Sequence, residues 1–178
     1  MKLEVPSTAH AAPADVVVIG MGNLDRADDG VGIWAVRELR ATLQGRARVE
    51  ECLQDPTELL PLWRSARVAI VVDAARSGAA PGTVHRVVAG VDPLLLSWRV
   101  SSTHALSLPQ VVALARALGE LPPRLVIYGL EAGSMGAGSA LSPPVRDAVP
   151  RLVERITAEV LDMGPPATVH GREGESHA

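Results

Sequence analysis

The chain has 178 residues, of which 47% are hydrophobic and 21% are charged, and its formal net charge is -3. This composition is typical of one globular domain, and it excludes a disordered chain or a strongly cationic one. Aromatic residues make up only 2% of the chain and phenylalanine is absent, so a stacking platform for nucleic-acid bases cannot be built. We therefore expect no nucleic-acid partner.

The two ends of the chain lack the patterns of a folded element. Residues 1–14 contain too few consecutive apolar residues for the core of a signal peptide, and no apolar run in the chain approaches the roughly 20 residues of a membrane span. Residues 164–178 combine glycine, proline and polar residues without periodicity, so His170 and His177 are weak metal-ligand candidates. The sequence predicts a flexible segment at 1–14, one domain at 15–163 and a disordered tail at 164–178.

Cys52 is the only cysteine, so the chain forms no internal disulfide, and it has neither a CxxC pair nor a cysteine–histidine zinc pattern. This usage is typical of a reducing compartment. The neighbours of Cys52 in the stretch EECLQD are acidic and would raise the pKa of its thiol, which makes it a poor nucleophile. We expect a cytoplasmic, monomeric protein with no membrane partner and no catalytic thiol.

In chain order, five runs rich in valine and isoleucine are predicted strands, and helical patterns separate them. The strands are predicted at 15–20, 47–52, 67–74, 82–88 and 124–130. Three of these runs are continuously apolar, which is typical of strands that are buried on both faces.

Three further stretches have apolar residues at helical spacing, which predicts amphipathic helices packed against a sheet. The predicted buried faces are Val31, Trp34, Ala35, Leu39 and Leu43 in the first helix, Leu108, Val111, Val112, Ala115 and Leu118 in the second, and Val145, Val149, Leu152, Ile156 and Val160 in a last helix from about Ser142 to Leu161. The charged residues of the last helix are predicted to face solvent. Alternating strands and helices predict a three-layer α/β sandwich around a mostly parallel, five-stranded sheet.

Ligands of such sheets bind at the carboxyl ends of the strands, so polar residues that directly follow the apolar runs are the candidate functional residues. They are the loop from Gly20 to Gly32, Asp73 and Glu131, together with His104 at the start of a predicted helix. Taken singly, Asp73 could equally be a structural residue, and for His104 alone a structural role is favoured. Two carboxylates and one imidazole that converge there would form a site for a divalent ion such as Zn, Ni or Fe, with open coordination positions.

The loop GMGNLDRADDGVG, residues 20–32, has two adjacent aspartates between glycines. A dinucleotide fingerprint would need a third glycine at position 25, where the chain has Asp25, and Asp28 and Asp29 would repel a pyrophosphate. One of these two carboxylates is expected to cap the helix that follows. The second is then free to point into the crevice.

Four stretches carry most of these features: VVVIGMGNLDRADDGVG, AIVVDAARSGAAPGTVHRV, SSTHALSLPQVVALARAL and LVIYGLEAGSMGAGSALSPPVRDAV. In this order and at this spacing they resemble the hydrogenase maturation proteases. That family comprises endopeptidases that trim the C-terminal extension from the large-subunit precursor of nickel–iron hydrogenases. The likeness extends from about Asp15 to Leu161.

The resemblance implies a phosphorylase/hydrolase-like α/β fold and a set of site residues. Asp29, Asp73 and His104 would bind the nickel ion already installed in the precursor and would form the catalytic site around it. The nickel would be supplied by the precursor, and Zn or Cd could take its place in crystals. Asp28 would shape and cap the loop.

The chain departs from the family pattern in two places. It reads EECLQDPTELL, with Asp55-Pro56, where the family commonly carries a DGG loop, and this leaves open how the substrate peptide is held. It has Glu131-Ala132 where many members have Gln-Pro, which adds a carboxylate without an assigned role. The alternatives to an endopeptidase are a non-catalytic metal- or precursor-binding maturation chaperone on the same fold and, less favoured, a nucleotide-binding protein.

Overall fold

The computed structural model describes residues 15–53, 55–90 and 107–163. Its centre is a five-stranded sheet in the order β2-β1-β3-β5-β4. The strands are β1 (Val16–Gly22), β2 (Arg48–Leu53), β3 (Val68–Ala75), β4 (Val84–Val88) and β5 (Arg124–Glu131). β1, β2, β3 and β5 are parallel, and the edge strand β4 runs antiparallel to β5. The predicted fold class, a mostly parallel five-stranded sheet in an α/β sandwich, is confirmed.

Helices cover both faces of this sheet. They are α1 (Val31–Thr42), α2 (Leu59–Trp63), α3 (Leu108–Leu118) and α4 (Pro143–Asp162), with short 3-10 turns at Ala27–Gly30 and Pro56–Glu58. α1 and α4 pack on one face, and α2 and α3 pack on the other. The short helix α2 was not predicted, because five residues are too few for helical periodicity to be recognised.

The central strands are buried on both sides because successive side chains alternate between the two helical layers. In β1, Val16 and Val18 belong to the core beneath α1 and α4, whereas Val17 and Ile19 belong to the core beneath α2 and α3. β3 follows the same rule, and all eight of its residues are buried. The continuously apolar runs of the sequence are therefore the central strands, as predicted.

Two residues assigned to buried helical faces are exposed instead. Trp34 is 41% exposed and Leu118 is 57% exposed. α1 packs against both the sheet and α4, so its buried stripe is broad and includes Ile33 and Val36. At about 100° per residue, Trp34 lies opposite the centre of that stripe. Leu118 is the last residue of α3, next to the left-handed cap at Gly119.

Helix α4 agrees with its prediction in both boundary and face. Ser142 is its N-cap, a proline occupies its first turn, and its five predicted core residues are buried. Its charged residues from Arg146 to Arg155 are exposed. In the part of the chain that the structure describes, no helix is both long and apolar enough to cross a membrane.

Candidate active site

The turn that joins β1 to α1 is built on glycines that let the backbone pack closely. Gly22 has a φ of 140°, and a Cβ atom at this position would overlap the carbonyl oxygen of Asp29. A Cβ atom on Gly32, in the first turn of α1, would overlap the carbonyl oxygens of Met21 and Val72. These glycines therefore bring the start of α1 against the ends of β1 and β3, which places the two aspartates of the turn at the carboxyl edge of the sheet.

Asp28 is completely buried and binds the segment between β5 and α4. Its Oδ2 accepts hydrogen bonds from the N–H groups of Gly133 (2.9 Å) and Ser134 (2.7 Å) and from the hydroxyl of Ser142 (2.8 Å). Its Oδ1 accepts from the N–H of Ser142 at 2.6 Å. The carboxylate therefore fixes the 3-10 turn at Ala27–Gly30, which we call the Asp29 turn, to the start of α4.

The expectation that one of the two aspartates caps α1 is wrong for Asp28. The N-cap of α1 is Gly30, and no side chain caps this helix. The Asp28 carboxylate instead accepts a hydrogen bond from the N–H of Ser142, the N-cap of α4. The physical reason is that the 3-10 turn at Ala27–Gly30 precedes α1 and directs this side chain across the molecule rather than back onto its own helix.

Asp29 and Asp73 lie close together at the carboxyl ends of two neighbouring strands. Asp29 is partly buried in the 3-10 turn after β1, and Asp73 is buried near the end of β3. Burial raises the pKa of Asp73 to about 7, the N–H of Ala74 opposes this rise through a 2.8 Å hydrogen bond, and the charge of Asp29 adds to it. The structure therefore places Asp29 and Asp73 within electrostatic reach of each other. Their role as metal ligands stays a prediction.

His104, the third predicted site residue, lies outside the described residues, as do His170 and His177. Its place beside Asp29 and Asp73 therefore stays a prediction. Among residues 15–53, 55–90 and 107–163, no group of three histidine, cysteine, aspartate or glutamate side chains is arranged to hold a metal ion. The carboxylate pair alone supplies two oxygen donors, which suit a divalent cation that receives its other ligands from elsewhere.

Cys52 lies at the end of β2 in the core beneath α2 and α3. Burial raises the pKa of its thiol to about 12, and the charges of Glu58, Asp73 and Asp55 add to the effect. The Sγ atom donates a hydrogen bond to the carbonyl oxygen of Asp55 at 3.3 Å. The direction of the shift agrees with the prediction, but burial is its largest cause and, of the acidic residues in EECLQD, only Asp55 contributes. The thiol is protonated at neutral pH.

Glu131, which the sequence left without a role, ends β5 and is only 3% exposed. Its carboxylate accepts hydrogen bonds from the N–H groups of Ser77 and Gly78, from the hydroxyl of Ser77 and from a ring nitrogen of His85. Burial raises its pKa, but the donors at Ser77, Gly78 and His85 outweigh burial and hold the pKa below its ordinary value. Glu131 is therefore an anion at neutral pH that fixes the chain just after β3.

Comparison with known proteins agrees with this architecture. A family model described as hydrogenase maturation protease matches residues 40–159. The chain belongs to the hydrogenase maturation protease family. Hydrogenase expression/formation protein HupD of Thiocapsa roseopersicina is 31% identical over 154 residues, which are 84% of this chain and 69% of that protein. Hydrogenase 2 maturation protease of Escherichia coli (strain K12) is 27% identical over 155 residues, 85% of this chain and 94% of its own length.

The fold is shared with solved structures of this family. The solution structure of an endopeptidase from Escherichia coli superposes with a TM-score of 0.75 at 24% sequence identity, covering 85% of this chain and 94% of the other. The fold agrees, and the family model and the curated relatives confirm the predictions of the family and of a peptidase.

The hydrogen-bond partners of Asp28 and Glu131 could not be predicted from the sequence. The donors to Asp28 are 105 to 114 residues away in the chain, and those to Glu131 are 46 to 54 residues away. The only local signal was position, since both carboxylates stand at the carboxyl ends of apolar runs.

Proposed function

We propose that this protease removes the C-terminal extension from the large-subunit precursor of a nickel–iron hydrogenase, and that it recognises the nickel ion of the precursor through Asp29, Asp73 and His104. The observation that carries the proposal is the position of Asp29 and Asp73 at the carboxyl edge of the sheet, close enough for the charge of Asp29 to raise the pKa of Asp73, in a hydrogenase maturation protease. The nickel belongs to the substrate, and the enzyme completes its coordination.

Electrostatics supports a cation at this place. Asp29 and Asp73 repel each other when both are ionised, and Asp73 also loses hydration because it is buried. A divalent ion between them would replace repulsion by attraction at both oxygens. The negative charge of these carboxylates also repels a phosphate group in the same crevice, which argues against the nucleotide-binding alternative.

The chemistry required is the hydrolysis of one peptide bond. A water oxygen attacks the scissile carbonyl carbon, the carbon–nitrogen bond breaks, and the leaving amine takes up a proton. Binding of the precursor's nickel would place that bond beside the carboxylates, which converts an encounter into a positioned reaction. A carboxylate near the water can accept its proton. The buried, protonated thiol of Cys52 is unsuited to be the nucleophile.

The proposal is tested by incubating the purified protease with a nickel-loaded large-subunit precursor and reading the mass of the product. We expect a loss of mass equal to the C-terminal extension with the wild type, and no loss with Asp29→Asn. The matched control is Asp25→Asn, which removes an exposed carboxylate from the same turn and should cleave normally. Binding of the precursor without any cleavage by the wild type would favour the chaperone alternative. A cytoplasmic location and a monomeric state stay predictions from the sequence.

A further inference from the structure

The connection between β3 and β4, residues 76–83, follows directly on the strand that carries Asp73. We call it the β3–β4 loop. Residues 76–78 and 80–81 of this loop are exposed. The register of the strands relates the residues around this loop to Asp73. Asp73 is opposite Gly129 of β5, and Gly129 is opposite His85 of β4. Paired residues point to the same face, so the side chains of Asp73, His85 and Glu131 share one face of the sheet.

Although it is exposed, the loop is held at both ends by buried or packed groups. At its start, Glu131 accepts from the Ser77 N–H at 2.9 Å, from the Ser77 hydroxyl at 2.9 Å and from the Gly78 N–H at 2.9 Å. At its end, the Gly82 N–H donates to the Glu131 carbonyl at 2.8 Å, and Arg151 donates to the Gly82 carbonyl at 3.2 Å. A Cβ atom on Gly82, whose φ is 84°, would meet the carbonyl oxygen of Pro144 at 2.6 Å.

Ser77, His85 and Glu131 do not form a nucleophilic triad. In such a triad the histidine stands between the hydroxyl and the acid and uses one ring nitrogen for each. Here the same ring nitrogen, Nε2, lies 3.4 Å from the Ser77 hydroxyl and 3.1 Å from Glu131, and the hydroxyl donates to the acid directly at 2.9 Å. The cluster therefore orders a loop rather than activating a nucleophile.

Stabilisation of the fold does not by itself explain why the buried carboxylate of Glu131 holds an exposed loop. Desolvating the charge of Glu131 is unfavourable, and the hydrogen bonds that offset it order residues that contribute little to the core. Ordering a surface loop in advance lowers the entropy lost when that loop binds a partner. The loop directly follows the strand that carries Asp73, so a peptide bound at the carboxyl end of that strand would pass beside it.

We propose that the β3–β4 loop is a preorganised contact surface for the precursor peptide next to the scissile bond, and that Glu131 is the positioning residue that holds this surface in its binding conformation. The inference rests on the proposed function, because it takes the precursor as the peptide that occupies the crevice. Glu131 acts through Ser77 and Gly78 and does not itself touch the reacting atoms.

The test compares steady-state kinetics of Glu131→Ala and Glu131→Gln on nickel-loaded precursor, well below the melting temperature of each variant. The matched control is Glu159→Ala, since Glu159 is also a largely buried glutamate that accepts several hydrogen bonds, from Arg86, Arg124 and Tyr128. Arg124 starts β5 and Glu131 ends it, so the control cluster reaches the opposite edge of the sheet.

We expect Glu131→Ala to raise KM about tenfold with kcat changed less than about threefold, because an unordered loop must be ordered on binding. Glu131→Gln keeps one acceptor oxygen and should recover part of this loss. Amide hydrogen exchange of residues 77 and 78 should accelerate in Glu131→Ala but not in Glu159→Ala.

The outcomes separate the inference from the proposed function. Cleavage by the wild type together with an unchanged KM for Glu131→Ala would overturn the inference and leave the proposed function intact. An equal rise of KM in Glu131→Ala and Glu159→Ala would also overturn it, because a general loss of stability would then be sufficient. Failure of the wild type to cleave loaded precursor would overturn the proposed function, and the inference with it.

Discussion

Replacing Asp28 by asparagine should weaken the connection between the Asp29 turn and α4 and cost the fold about 3 kcal/mol. Oδ2 of Asp28 accepts three hydrogen bonds and Oδ1 accepts one, all from N–H or O–H donors. In Asp28→Asn, one of the two carboxylate oxygens is replaced by an NH2 group, which then faces a hydrogen-bond donor. A hydrogen bond to a charged acceptor contributes about 1.5–3 kcal/mol, and a buried donor left unsatisfied costs about 1–3 kcal/mol.

Urea and thermal denaturation monitored by circular dichroism would measure this loss. In a domain of this size about 3 kcal/mol corresponds to a fall of about 6–12 °C in Tm. Asp25→Asn, at an exposed position in the same turn, should change the free energy of unfolding by less than about 0.5 kcal/mol. If Asp28→Asn unfolds within about 0.5 kcal/mol of the wild type, the assignment of Asp28 as the link between the turn and α4 is wrong.

Three further predictions concern a strand-edge cluster, the thiol and a glycine. Burial raises the pKa of Glu159, but hydrogen bonds from Arg86 and Tyr128 outweigh burial and lower this pKa. The contribution of Glu159 to stability should therefore be complete above the ordinary glutamate pKa and should fall as the pH drops below that value. Urea denaturation measured across this pH range checks this, and Glu159→Gln should lose the pH dependence. Cys52→Ser should process precursor normally, and the wild-type thiol should resist iodoacetamide at pH 8 in the folded protein, since its pKa is about 12; rapid labelling would contradict its burial. Gly22→Ala should prevent folding to the native state, because its Cβ would overlap the carbonyl oxygen of Asp29, and a native melting curve would show that the turn has another conformation.

The strands and most of the helices could be predicted because their sequence signals are local. Continuous valine and isoleucine runs marked β1, β3 and β5, and the 3.6-residue period of Val145 to Val160 marked α4. The exposure of Trp34 could not be predicted in the same way. It depends on α4 packing beside α1, and the position of one helix relative to another is not encoded in the period of either.

The site could be predicted in part for the same reason. The loop that contains Asp29, and Asp73 itself, were selected because both follow apolar runs, and the carboxyl ends of neighbouring parallel strands meet at one edge of a sheet. The choice of Asp29 within that loop came from the family resemblance. The resemblance had already given Asp28 and Asp29 different roles, but the partners of Asp28 could be identified only from the fold, since they belong to the segment before α4. Glu131 likewise acquires its role only when β5 lies between β3 and β4.

The central claim is that the nickel of the precursor, held by Asp29, Asp73 and His104, directs the cleavage. The most direct measurement incubates the wild-type protease with two preparations of one precursor, nickel-loaded and nickel-free, and follows the mass of the large subunit over time. Because the shared ion positions the bond, we predict that the loaded precursor is cut and the nickel-free precursor stays intact. Cleavage of both preparations at the same rate would contradict the claim, since the peptide sequence alone would then direct the enzyme.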